Sequence, residues 1–201
     1  GLISFLLGLI IAFMSSLQLK QFGANLYVAS LVAIAMVREL GPIITAILVA
    51  GRSGSAFAAE IGTMKVNEEI DALVTMGFNP MRFLAIPKVF ASLIVVPLLT
   101  FFSDLFAILG GMVVGVFGLN LTIHTYAVQT SWALEVFDIT SGVVKSCVFA
   151  VLIAGIGCQR GFQVRGGAEA VGNATTSAVV SALFLIIVAD STFAIILNYV
   201  R

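Results

Sequence analysis

The chain has 201 residues, 60% of them hydrophobic and only 10% charged, with ten basic side chains balancing ten acidic ones. A charged fraction so far below the roughly 25% of ordinary soluble domains makes lipid the solvent for most of the chain. The even balance, without a dense Lys/Arg cluster, excludes a partner read through a phosphate backbone, so no nucleic acid is expected.

A hydrocarbon core about 30 Å thick needs roughly 20 helical residues per crossing, so residues 1–201 are read as one all-α membrane domain of about five spans. The first residue is Gly1, and an apolar run follows at once without a basic leader, which reads as a chain trimmed upstream. That first run, Leu2 to Leu17, ends in Gln18, Lys20 and Gln21. The second runs from Leu26 to Val49 and is interrupted by Arg38, Glu39 and Pro42. Small residues follow, among them Gly51, Ser53, Gly54, Ser55, Ala56, Ala58 and Ala59, the composition that lets helices approach closely in a membrane.

From Gly62 to Pro80 the sequence turns polar. Asn67 is placed as an N-cap, with Glu68, Glu69 and Asp71 behind it, an apolar stripe of Val66, Ile70, Leu73 and Val74, and a stop at Gly77 and Pro80 after Met76. This predicts a short amphipathic helix outside the bilayer. The third span runs from Phe83 to Leu119 and carries Pro97, Asp104 and a Gly111/Gly115 pair. Between Asn120 and Thr140, Tyr126, Trp132 and Phe137 stand among polar residues, as in a short helix lying in the interfacial aromatic belt. The fourth span is predicted from Ser141 to Cys158. A Gly-rich loop, Gln159 to Gly172, leads to Asn173, Thr175 and Thr176 as caps for a last span from Ala178 to Tyr199.

Lys65, Arg82 and Lys88 flank the amphipathic helix, and Arg160 and Arg165 follow the fourth span, whereas Asn120 to Thr140 holds no Lys or Arg. The positive-inside rule therefore puts the amphipathic helix in the cytoplasm and the aromatic segment outside. Cys147 and Cys158, eleven residues apart on one predicted helix, are about 16 Å apart in rise and form no disulfide with each other.

Ionisable residues inside spans mark buried pairs or sites. Lys145 and Asp190 each lie fourteen residues from the cytoplasmic end of their spans, about 21 Å up from that face, and so match in depth. Asp104 lies about 25 Å up and is within reach of the same lysine. A pair or triad holding helices in register is the plain reading, and an ion relay is the rival. Arg38 and Glu39 point about 100° apart on a helix, so one does not simply neutralise the other. Arg38 falls in the outer half of the membrane, where either a lipid phosphate or a carboxylate on another helix suits its guanidinium.

Lone His124 has no ligand cluster near it, and no metal or cofactor is expected. GxxxxGK[ST], GxSxG and HExxH are all absent, so the chain is read as no enzyme, its energy supplied by another subunit.

Three runs carry a resemblance: Arg38-Glu39-Leu40-Gly41-Pro42, Ala50-Gly51-Arg52-Ser53-Gly54-Ser55-Ala56 and Ala59-Glu60-Ile61-Gly62-Thr63-Met64. With Glu68 through Asp71, Met76-Gly77, Asn79-Pro80 and Ala174-Thr175-Thr176 ahead of Val179-Val180, they resemble the MlaE-type permease family of lipid-transporting ABC systems. The resemblance implies a homodimeric, multi-pass permease in a bacterial inner membrane that moves phospholipid between inner and outer membranes. It further implies a cytoplasmic ATPase subunit, a periplasmic MCE-domain protein and, in some members, a STAS-domain protein. The segment Asn67 to Met76 becomes a coupling helix seated in the ATPase, with Asn67, Glu68, Glu69, Ile70, Asp71, Leu73, Val74 and Met76 as its contacts. Arg38, Glu39, Leu19 and Phe22 become the lipid-facing residues, Phe22 standing where some members have Tyr. The rival from another class is an ion-coupled secondary transporter built on Asp104, Lys145 and Asp190.

Overall fold

The computed structural model describes residues 1–21, 24 and 26–200, the side chains of 198 and 200 excepted. Its elements are helices in the order α1 Leu2–Lys20, α2 Tyr27–Val66, α3 Glu69–Thr75, α4 Met81–Leu119, α5 Ile123–Ala133, α6 Val136–Phe162 and α7 Ala168–Val200, with no strand among the described residues. Helices α1, α2, α4, α6 and α7 are the five long and apolar enough to cross a membrane, so the chain is an all-α, multi-pass membrane protein.

Several boundaries differ from the sequence reading. Helix α2 runs 40 residues, to Val66, so Arg52 lies within it instead of at its end. Asn67 is not an N-cap: it closes α2, and the reversal into α3 is made by Glu68 at φ 61°. A non-glycine residue in that left-handed region costs about 1–2 kcal/mol. The stripe expected on α3 is split, with Ile70 buried and Val74 outside. Helix α6 starts at Val136 and takes Phe137 with it. Helix α7 starts at Ala168, so Asn173, Thr175 and Thr176 are interior to it, and the Thr175 hydroxyl donates to the Gly172 carbonyl at 2.6 Å. Propensity is a weak prior, and Gly172 is accommodated once the flanking turns are helical.

Two prolines account for a second departure. A proline inside a helix removes one N–H and crowds the carbonyl four residues back. Wider π turns at Met36–Leu40 and Met81–Ala85 each end two residues before a proline, Pro42 and Pro87. The amides of Gly41 and Ile86 reach back to the carbonyls of Met36 and Met81, the five-residue spacing of a π turn. Arg38 and Glu39 sit inside the first of these turns, which re-aims both side chains relative to a regular helix.

The chain divides into two compact units, Gly1–Thr45 with Pro97–Val144 and Ala46–Val96 with Lys145–Arg201. In the first, α1 buries Ser4, Gly8, Ala12 and Ser16, small residues four apart on one face. A Cβ on Gly8 would overlap the Ala107 carbonyl, and one on Gly110 the Phe5 carbonyl, so α1 and α4 touch through backbone. The Ser4 and Ser103 hydroxyls share a hydrogen bond of 2.8 Å at this contact. The large residues of α1, Leu6, Ile10, Phe13 and Leu17, stay outside, the inverse of a water-soluble helix.

The aromatic segment does not lie wholly in an interfacial belt. Trp132 is 85% exposed, but Tyr126 is 1% exposed and fills the notch over Gly111 and Gly115. Burial pushes the Tyr126 phenol up to about 12. Its Oη is buried and has no hydrogen-bond partner among the described residues. Tyr126→Phe is therefore expected to be neutral or to stabilise by up to about 1 kcal/mol, because it removes a desolvated hydroxyl and keeps the ring. Detergent titration of the two proteins checks this.

In the second unit α2 meets α6 through Gly54, Gly157 and Gly161, with Gly157 against the Gly54 carbonyl and Gly161 against Ile61. Ile61, Ile70, Ala85 and Cys158 form a small core that holds α3 by its one buried side chain.

Candidate functional site

The π turn of α2 and the first two turns of α6 build the site in the first unit. Asp138, Ser141 and Gly142, spaced i, i+3 and i+4, face one way on α6. Gly142 allows the approach, since a Cβ there would press on the Val37 carbonyl. Next to that contact, Arg38 Nη1 lies 3.8 Å from Asp138 Oδ1, the arginine side chain 19% and the aspartate 2% exposed. Charge-assisted forks form at about 2.7–2.9 Å, so this is attraction across a gap and leaves guanidinium donors for another oxygen. Asp138 Oδ2 accepts from the Glu135 amide at 3.4 Å, while Oδ1 has no hydrogen bond among the described residues.

One turn away, Asp104 of α4 is 9% exposed and packs against Gly41, where a Cβ would overlap its carboxylate. It borders a cavity of about 110 Å³ whose other walls include Val37, Phe101, Leu105, Ile139 and Val143. Asp104 Oδ1 is buried without a hydrogen-bond partner among the described residues.

The second unit holds further ion pairs, one of them buried and another at the surface. Lys145 on α6, fully buried, places Nζ 3.2 Å from Asp190 Oδ1 on α7. Toward the other end, Lys88 Nζ lies 2.6 Å from Glu60 Oε2 and 5.2 Å over the Phe57 ring. The expected triad thus has two members, Lys145 and Asp190, in one unit and Asp104 in the other.

Of the remaining sequence candidates, Glu39 is half-buried in the π turn. Leu19 is partly buried and packs on the core of Ala12, Val28 and Val32. Phe22 lies outside the described residues. On α3 the acidic Glu68, Glu69 and Asp71 are exposed, Leu73 is half-buried, and Val74 and Met76 are 55% and 63% exposed. His124 is exposed, and among the described residues no group of three His, Cys, Asp or Glu is placed to hold a metal ion.

Asp138 is the residue that sequence reading missed. The sequence reading places it in the surface segment between the third and fourth spans, whereas it stands in the first turn of α6.

The profile of the family described as Permease MlaE matches residues 1–196. The chain belongs to the MlaE permease family. Among its relatives is a probable ABC transporter permease protein of Rickettsia typhi, 40% identical over 187 residues, which cover 93% of this chain and 72% of that one. A probable ABC transporter permease protein of Synechocystis is 37% identical over 185 residues, 91% of this chain and 70% of the relative. The chloroplastic protein trigalactosyldiacylglycerol 1 of Arabidopsis thaliana is 40% identical over 175 residues, 86% of this chain and 49% of the relative. Membership of the MlaE permease family makes this chain an ABC transporter permease.

Proposed function

We propose that this permease moves phospholipid between the inner and outer membranes of a double-membraned bacterium, working as a homodimer in the inner membrane. The observation that carries the reading is Arg38: a cation in a π turn, held 3.8 Å from a buried carboxylate and still offering donors. A lipid phosphate presents an oxygen pair that a guanidinium forks, at a depth where headgroups enter an apolar wall. The plant relative's name, which contains a galactolipid, supports a lipid as cargo in this family.

Helix α3 is the proposed seat of a cytoplasmic ATPase subunit. Its acidic residues and the exposed Val74, Met76 and Phe78 form an apolar patch with an acidic edge, whereas a helix resting on anionic lipid carries Lys and Arg instead. A periplasmic MCE-domain protein, and a STAS-domain protein on the ATPase, complete the proposed assembly. In this reading ATP is hydrolysed by the partner, and the permease pocket changes shape as the partner closes and opens.

Native mass spectrometry of the full-length protein, purified gently from its host, tests this. The expected result is two copies of the chain with an ATP-binding subunit and bound phospholipid. Arg38→Ala is expected to lower lipid occupancy several-fold and leave the protein assembly intact. A lone chain, with transport that follows membrane potential and persists without ATP, would sink the proposal and favour an ion-coupled carrier using Asp104, Lys145 and Asp190.

A further inference from the structure

The end of α6 and the start of α7 form a polar groove unrelated to the Arg38 site. Arg160, Gln163 and Val164, spaced i, i+3 and i+4, supply one wall from α6 and the turn after it. Ala170, Asn173, Ala174 and Ser177, spaced i, i+3, i+4 and i+7, supply the facing wall from α7. Arg165 closes the end from the connecting turn, where Gly166 takes φ 116°. The groove is open along one side and offers about 370 Å³, the volume of about a dozen liquid waters and ample for a phosphate group with part of what it is attached to.

The charges in this groove have one sign. Both arginines line it, and Glu169, the sole acidic residue between Arg160 and Ser177, is not part of its lining. The remaining polar side chains, Gln163, Asn173 and Ser177, all offer hydrogen-bond donors. Arg160 is half-buried and fixed by a hydrogen bond from Nη2 to the Ser181 hydroxyl at 2.9 Å, so its guanidinium is positioned before any ligand arrives. An arginine held in place loses less freedom on binding than one that must be ordered first.

We propose that this groove binds a phosphate group at the membrane face where the Lys/Arg-rich loops lie, either the headgroup of an anionic phospholipid in that leaflet or free phosphate. Two guanidiniums with amide and hydroxyl donors around them match phosphate oxygens, and the adjoining apolar flanks of α6 and α7 give a lipid somewhere to lay its chains. The site would fasten the α6–α7 turn to the leaflet. It stands independently of what the permease carries at Arg38.

The test uses full-length protein in detergent, with thermal unfolding read by a thiol-reactive dye on Cys158, which is 3% exposed and reacts when the fold opens. Phosphatidylglycerol is compared with diacylglycerol at equal mole fraction, and inorganic phosphate with chloride at equal ionic strength. All are run in the Arg38→Ala background so that lipid held there does not contribute. A shift of several degrees with phosphatidylglycerol alone identifies a headgroup, and one with inorganic phosphate as well identifies free phosphate. Arg165→Gln and Asn173→Asp, both at exposed positions that leave the fold intact, should each remove at least half of the shift. Equal responses within each probe pair, or variants that shift as fully as the parent, would overturn the proposal.

Discussion

Asp190→Ala is expected to lower the stability of this permease by about 3–5 kcal/mol, because it takes the carboxylate from a fully buried ammonium. Lys145 Nζ lies 3.2 Å from Asp190 Oδ1, with the lysine side chain wholly shielded from solvent. Water cannot reach the wholly buried ammonium to replace the lost carboxylate, and charge inside a span costs a few kcal/mol on insertion scales. Exchanging the two residues, Lys145→Asp with Asp190→Lys, should recover part of the loss, since the attraction depends on the pair and not on which helix carries which sign. Replacing both with Met and Leu should recover more, because neither charge then has to be desolvated. Titration with a denaturing detergent measures all of these. If the exchanged pair is no more stable than either single change, the two residues do not hold α6 and α7 together. The Met/Leu protein also separates roles: register alone predicts a folded and working permease, whereas a relay predicts a folded one that no longer transports.

Gly110→Leu is expected to separate α1 from α4. A Cβ at Gly110 would overlap the Phe5 carbonyl, and backbone does not swing aside as a side chain does. Overpacking of this kind costs about 1–3 kcal/mol, and loss of the Ser4–Ser103 hydrogen bond adds roughly 1 kcal/mol. Those two hydroxyls supply the readout, being 2.8 Å apart in the native contact. With Cys147 and Cys158 changed to alanine, Ser4→Cys with Ser103→Cys should form a disulfide readily. The same pair should cross-link poorly once Gly110→Leu is added. Unchanged cross-linking after the Gly110→Leu change would show that α1 does not rest on α4 through this glycine.

Particular residues show why some of the site was legible and some was not. Lys145 and Asp190 could be matched because a helix rises 1.5 Å per residue, so two antiparallel helices carry the same ruler and a charge on each can be compared in depth. Asp138 escaped because the ruler needs a known helix start, and Val136, not Ser141, begins α6. Tyr126 was read by composition as an interfacial aromatic, yet the Gly111 and Gly115 notch that buries it lies elsewhere in the sequence. The Ser4, Gly8, Ala12 and Ser16 stripe shows in the sequence as a four-residue period, but nothing near it names the helix it packs against, since its contact at Gly8 is with Ala107. Asn67 had the chemistry of an N-cap but not the position, since α2 runs on to the residue before it.

That this chain is a membrane protein with five helices able to cross the bilayer, and that it belongs with the MlaE permeases, is legible in the residues themselves, because burying backbone in lipid demands long apolar helices and motifs need only local residues. Packing alone settled which carboxylate stands beside Arg38 and where α1 rests on α4. Those facts depend on helix–helix approaches of a few ångströms, set by glycines on one helix meeting backbone on another, and no single stretch of sequence contains both sides of such a contact.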